Sequence, residues 1–343
     1  MAHLLDIDQR RAYDHITDQV REYHGQQQYH YITGYPGTGK SYLTRSLIND
    51  LEADHTVVTL SWYGLAARNL RAEASTIMAY FGLTFSNSGQ VADNSYLRCT
   101  DVTMARMIEY LRAHGSEIIR SPKLVIVIDE VGALHNTLLD AMAGAVRELR
   151  RPKLMKMGDS VEKPFGDAAV LMIGDPCQTG RMELTSTSAE YPPAVYPTKE
   201  FWLADSWKAM RPNVYFLRNI HRGGDQGYLG LLREIRAAPR IRPGLPRFSP
   251  EAMEVLQSIR DRDGGERPPR YDHVVVCFTN AEVDRHNEQY LRRLPGEVYE
   301  LVAVDSGGPT NSSTTPFTPS KDFLKSVSRL GYRERVNLKV NCR

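Results

Sequence analysis

Cysteine, lysine and long apolar runs are all scarce in this chain. Four cysteines stand far apart at Cys99, Cys177, Cys277 and Cys342, with no C-x-x-C pair and no Cys/His spacing suited to a metal. That argues against a zinc ribbon or a disulfide framework and fits reduced thiols in a cytosolic or nuclear compartment. No stretch reaches the roughly 18 apolar residues that a membrane-spanning helix needs. The opening Met-Ala-His-Leu-Leu-Asp has neither a basic segment nor an apolar run, so neither a secretory signal nor a mitochondrial presequence is expected. The 343 residues are 41% hydrophobic and 24% charged. This is ordinary globular usage, enough for about two domains, and it excludes disordered, collagen-like and coiled-coil chains. Basic and acidic residues nearly balance, 43 against 41. Any nucleic-acid surface would therefore be a local patch.

The scarcity of lysine is the most informative. There are 10 lysines to 33 arginines, and Lys40 is the only lysine in the first 122 residues. It lies in Gly34-Tyr35-Pro36-Gly37-Thr38-Gly39-Lys40-Ser41-Tyr42, which fits G-x-x-x-x-G-K-[ST] at every fixed position. A β-rich run precedes it, and an amphipathic helix with Leu43, Leu47 and Leu51 follows. In that context the glycines let backbone N–H groups close around the phosphates of a nucleotide. Lys40 adds a point charge, and Ser41 offers its hydroxyl to Mg²⁺. ATP and Mg²⁺ are the cofactors so implied. Upstream, Asp6 or Asp8 is placed to cap a helix, and the Gln9 amide is suited to both edges of adenine.

Leu124-Val-Ile-Val-Ile-Asp129-Glu130 is a continuous apolar run ending in two acids, the pattern of a parallel strand buried on both faces. Ligands bind at the carboxyl ends of such strands. Asp129 suits a Mg²⁺ carboxylate, and Glu130 the base that activates an attacking water. A third run, Ala168–Ile173, leads into Gly174-Asp175-Pro176-Cys177-Gln178. Gln178 is placed to sense a γ-phosphate and orient that water; the segment also reads as a turn that happens to contain Asp and Gln.

In this order the segments resemble the PIF-type family of superfamily 1 helicases, the 5′→3′ branch with RecD and Dda relatives. The Gln9 segment resembles the family's Q-motif, Gly34–Ser41 motif I and Ile128–Glu130 motif II. Ser61-Trp62-Tyr63-Gly64-Leu65-Ala66-Ala67-Arg68-Asn69-Leu70 resembles motif Ia. Lys163–Gly166 with Gly174–Gln178 is similar to the PFGG segment and motif III. Leu217-Arg218-Asn219-Ile220-His221-Arg222 resembles motif IV, whose arginine reaches the γ-phosphate. Thr279-Asn280-Ala281-Glu282-Val283-Asp284-Arg285-His286-Asn287 is similar to a T-N-x-x-V-D-x-x-N segment of the second core domain. The sequence departs from the family at Trp62 and Tyr63, where small or polar residues are usual. It also departs at Met78, Gly132-Ala133 and Thr179-Gly180-Arg181. These positions bear on the DNA path rather than on nucleotide binding.

The resemblance implies an α/β P-loop NTPase of two RecA-like parallel-sheet domains, with ATP in the cleft between them. The first is expected over 1–203, with a 1B-like insertion at 84–120. A partial second domain would occupy 204–343, with a flexible Ser/Thr/Pro/Gly-rich insertion around 305–320. Asn337–Arg343 resembles the start of the segment that leads into motifs V and VI, so the chain is expected to be truncated before them. The tail also resembles viral and transposon-encoded members. The implied activity is ATP hydrolysis coupled to 5′→3′ translocation on single-stranded DNA and unwinding of forked duplex. Roles in replication, repair, recombination and telomere maintenance, a monomeric state and a nuclear location are implied with it; a bacterial or viral origin would make the location cytoplasmic. Lys40, Asp129, Glu130, Gln178 and Arg222 would be catalytic. Trp62, Tyr63, Arg68, Asn69 and Asn280 would meet DNA, although Trp62 reads equally as a core residue after a strand. The rival reading is a nucleotide-dependent DNA-binding module without unwinding. A P-loop kinase would leave Arg222 and the Thr279–Asn287 segment unexplained.

Overall fold

The computed structural model describes residues 4–22, 28–83, 86–88, 91–157, 163–178, 180–181, 184, 189–223, 225–237, 248–263, 275, 277, 279–302 and 335–339. The strands are β1 (Tyr29–Gly34), β2 (Thr56–Ser61), β3 (Ser75–Thr76), β4 (Ser86–Ser88), β5 (Val91–Asp93), β6 (Leu124–Asp129), β7 (Ala169–Ile173), β8 (Asn213–Leu217), β9 (Tyr299–Val302) and β10 (Arg335–Leu338). The helices are α1 (Ile7–Arg21), α2 (Lys40–Leu51), α3 (Gly64–Leu70), α4 (Ile77–Tyr80), α5 (Thr100–His114), α6 (Ser116–Ile119), α7 (Asn136–Met157), α8 (Asp205–Met210), α9 (Gln226–Ala237), α10 (Pro250–Asp263) and α11 (Asn280–Arg293). None of the described helices is long and apolar enough to cross a membrane.

Six strands form one parallel sheet in the order β3-β2-β6-β7-β1-β8. The apolar runs read from the sequence at Leu124–Asp129 and Ala168–Ile173 end with β6 and β7. Their side chains alternate between two buried layers, as the two-residue period of a strand requires. Leu124, Ile126 and Ile128 of β6 join Val170 and Met172 of β7 against Met107 and Leu111 of α5 and Leu138, Met142 and Val146 of α7. Val125 and Val127 join Leu171 and Ile173 on the other face, against Ala12, Ile16 and Val20 of α1 and Leu43, Leu47 and Leu51 of α2. Helices on both faces of a parallel sheet make this a RecA-like α/β P-loop NTPase fold.

The chain forms two compact units, Met1–Val255 and Leu256–Arg343. The first of these units extends past residue 203. β8 lies beyond it, yet pairs along β1 from His30↔Asn213 to Gly34↔Leu217. β8 alternates half-buried and exposed positions, an edge-strand pattern that carries no sign of which sheet it joins. The expected insertion at 84–120 holds the β4–β5 pair, α5 and α6. In the second unit Thr279 caps α11: its hydroxyl accepts from Glu282 N (3.2 Å), and the Glu282 carboxylate accepts from Thr279 N (3.2 Å). β9 and β10 pair antiparallel there. The flexible insertion expected around 305–320 lies outside the described residues.

One buried cation fixes the segment before β7. Phe165, Gly166 and Asp167 all have left-handed backbones (φ 56°, 56° and 63°), a costly run for two residues with side chains. Arg150 of α7, 3% exposed, holds the run in place. Its Nε donates to Gly166 O, and its Nη1 to Ile119 O and Ser121 O, each at 2.7 Å. Tyr29 Oη donates to Pro164 O (2.8 Å) from β1. Arg150→Met should thus leave three carbonyls without their donor and destabilise the chain by roughly 3 kcal/mol or more. Urea denaturation measures this; an unchanged midpoint would refute the assignment.

Candidate nucleotide site

The phosphate loop leaves β1 at Gly34 and enters α2 at Lys40. Gly37 and Gly39 take left-handed conformations (φ 77° and 78°) that side chains resist. Neighbouring atoms also fill the space above them: a Cβ on Gly37 would lie 2.8 Å from Arg222 Cβ, and one on Gly39 would strike Gln9 Nε2.

Four loop carbonyls accept hydrogen bonds from side chains or from distant backbone. Lys40 Nζ donates to Gly34 O (3.0 Å) and Tyr35 O (3.1 Å). His221 N donates to Gly37 O (2.8 Å). Gln9 Nε2 donates to Thr38 O (2.9 Å). Asp6 accepts from Asp8 N and Gln9 N while Gln9 Oε1 accepts from Asp6 N (3.1 Å), a complete capping box on α1. Of the two candidate caps, Asp6 is the one used. His221 Nε2 closes the arrangement on Asp6 Oδ2 at 2.7 Å, and Arg218 N donates to Asp8 Oδ2 (3.4 Å). The Leu217–Arg222 segment is thus strapped to both the loop and α1.

The Gln9 amide, read in the sequence as suited to adenine, is turned inward. It is 2% exposed, and both of its amide atoms are engaged within the protein. Pro36 and Ser41 are exposed, Thr38 is buried, and Tyr35 and Tyr42 are half-buried. Arg222 is exposed, with its Cβ beside Gly37.

The acids lie at the carboxyl edge, where the sequence put them. Asp129 is 5% exposed. Burial and then the Glu130 charge push its carboxyl up to about 7, against the opposing pull of a backbone hydrogen bond and Lys40. Glu130 is also raised by burial, which Lys40 opposes and Asp175 reinforces. Its backbone is left-handed (φ 54°, ψ 41°), strain of a kind that collects at functional sites. Burial lowers the Lys40 ammonium, and Asp175, Glu130 and Asp129 pull it back. Gln178 is exposed, and its Nε2 donates to Asp175 Oδ2 (3.3 Å). Asp175 also binds Arg236 Nη1 through both oxygens at 2.6 Å. The sequence reading missed Arg236: it lies 61 residues from its partner, in a helix with no other distinguishing mark.

β2 pairs Ser61 with Asp129, which sets the start of α3 beside the acids. Trp62 packs half-buried against the core, while Tyr63, Arg68 and Asn69 are exposed. The side chain of Asn280 lies outside the described residues.

The raised Asp129 carboxyl has a consequence for stability. Between its ordinary 3.8 and about 7 the folded chain holds a proton that the unfolded chain releases. This contribution is present at low pH and is lost as pH rises through 7. In protein free of nucleotide and metal, Asp129→Asn should therefore raise stability by a few kcal/mol near pH 8 and by less than half as much near pH 5. Thermal melts at the two pH values test this; an equal gain at both, or a loss at pH 8, would contradict it.

Comparison with known proteins follows the same lines. The PIF1-like helicase family model matches residues 4–188, just over half of the chain. The human ATP-dependent DNA helicase PIF1 is 27% identical over 301 residues, 86% of this chain and 39% of that protein. The chain thus spans well under half the length of that relative. The crystal structure of Pif1 helicase from Candida albicans superposes with a TM-score of 0.64 at 21% identity, covering 98% of this chain and 63% of that one. Pif1 helicase from Bacteroides, solved in complex with ADP-AlF3 and single-stranded DNA, superposes with a TM-score of 0.56 at 18% identity, covering 91% and 62%. With more than half of its length matched by that model, the chain belongs to the PIF1-like helicase family.

Proposed function

We propose that this chain is the nucleotide-hydrolysing part of a DNA helicase, converting ATP binding and hydrolysis into movement along a single strand. The observation that carries the reading is the site's charge arrangement: a half-buried lysine resting on loop carbonyls, facing a buried carboxylate edge. Phosphates would draw Lys40 from Gly34 O and Tyr35 O, exchanging two neutral acceptors for charged ones. A divalent cation fits the same edge. Asp129 is a hard oxygen donor whose burial and acidic neighbour disfavour its bare anion, and Ser41 has an exposed hydroxyl at the first turn of α2. Mg²⁺ would be held by Ser41 and Asp129 and, when bound, would neutralise phosphate charge. Glu130 would polarise the attacking water, with Gln178 and Arg222 reading the terminal phosphate.

Single-stranded DNA is the proposed track. Exposed Tyr63 at the N-cap of α3, with Arg68 and Asn69 on that short helix, offers a stacking face and a cation beside the acids. Such stacking contributes about 1–3 kcal/mol per base. Trp62 serves the core in this account rather than the strand. The eukaryotic relatives favour a nuclear location.

Lys40→Ala should lower ATP turnover by at least about 100-fold and abolish ATP-driven strand displacement on a forked duplex. Turnover equal to the unaltered chain would refute the assignment.

A further inference from the structure

We propose that Arg236 is a positioning residue for Gln178: it pins the buried Asp175 carboxylate, and Asp175 holds the Gln178 amide at the phosphate loop. The inference rests on the reading above, in which Gln178 senses the terminal phosphate.

Four contacts converge on Asp175, whose side chain is wholly buried. Arg236 Nη1 reaches both carboxylate oxygens at 2.6 Å. Cys177 N donates to Oδ1 (2.9 Å), which fixes the turn after β7, and Gln178 Nε2 donates to Oδ2 (3.3 Å). A buried carboxylate is tolerated only when it is paired. Of the acids around Lys40, Asp175 acts on it most strongly, and Arg236 opposes that pull. Without Arg236, the cation that the phosphates require would be the one left to answer Asp175. Gln178 would then lose a fixed acceptor.

The guanidinium has a second reason to stay in place. It lies over the Tyr35 ring of the phosphate loop (5.2 Å) and the Phe216 ring of β8 (5.9 Å), and those rings meet edge to face at 5.3 Å. A guanidinium can lie against such a pair while its Nη1 donates to a carboxylate; a lysine ammonium does not combine the two. Arg236 therefore touches the loop that binds phosphate and, through Asp175, the amide that reads it.

The test is equilibrium binding of fluorescent ADP and of a fluorescent non-hydrolysable ATP analogue to the full chain. The readout is the preference for triphosphate over diphosphate. Gln178→Ala should cut that preference about tenfold, the value of one charge-assisted hydrogen bond. Arg236→Gln should cut it to the same extent, with ADP affinity within about threefold of the unaltered chain, and the double variant Arg236→Gln/Gln178→Ala should fall no further. Arg236→Lys should not restore it. The neutral pair Asp175→Asn/Arg236→Gln, which removes the buried charge and keeps an acceptor for Gln178, should fold and regain most of the preference. Losses that multiply to about 100-fold in the double variant, an unchanged preference in Arg236→Gln, or a neutral pair as impaired as Arg236→Gln would each overturn the inference. If Gln178→Ala itself leaves the preference intact, the underlying reading of the site fails, and this inference fails with it.

Discussion

The phosphate loop has to hold its carbonyls away from the anion it is built to bind, and much of the first unit serves that constraint. A loop of peptide units presents donors on one side only if its acceptors are satisfied on the other. Here the partners that remain once phosphate draws Lys40 away come from α1 and from the strand-end segment at 218–222, through Gln9 and His221 N. None of them is adjacent to the loop in space unless α1 packs on the sheet and β8 pairs with β1. The core that buries Ala12 and Ile16 of α1 against Ile173 and Leu217 is in this sense part of the nucleotide site.

The opposite side of the site is organised by excess negative charge. Asp129, Glu130 and Asp175 are brought to one edge, two of them buried, with Lys40 and Arg236 as the cations that answer them. Burial raises Asp129 and Glu130 and lowers Lys40, so it disfavours the charged form of each. A site in this condition gains from any ligand that brings phosphate to the lysine and a divalent cation to the carboxylates. It also costs stability when empty. The left-handed backbone at Glu130 adds local strain to that cost.

The sequence disclosed what depends on local pattern. Unbroken apolar runs marked β6 and β7 because both faces of those strands are covered, and the glycine spacing marked the loop because nothing else satisfies its backbone. Asp6 was visible as one of two candidate caps, with Asp8 the other. Long-range pairing was not visible. β8 alternates exposed and half-buried residues, which fits an edge strand of any sheet, so the first unit ran past the expected boundary. Gln9 carries an amide suited to adenine, but no local signal reveals that Thr38 O lies within its reach. Asp175 looked like part of a turn, and Arg236 like one arginine among many. Their pairing exists only once α9 folds against the end of β7.

The role proposed for this edge is that of a nucleotide motor on DNA. Steady-state ATP hydrolysis by the purified chain, with and without single-stranded DNA, tests it most directly. The account predicts Mg²⁺-dependent turnover that single-stranded DNA stimulates several-fold. Turnover indifferent to DNA, or tight nucleotide binding with no turnover above background, would contradict it.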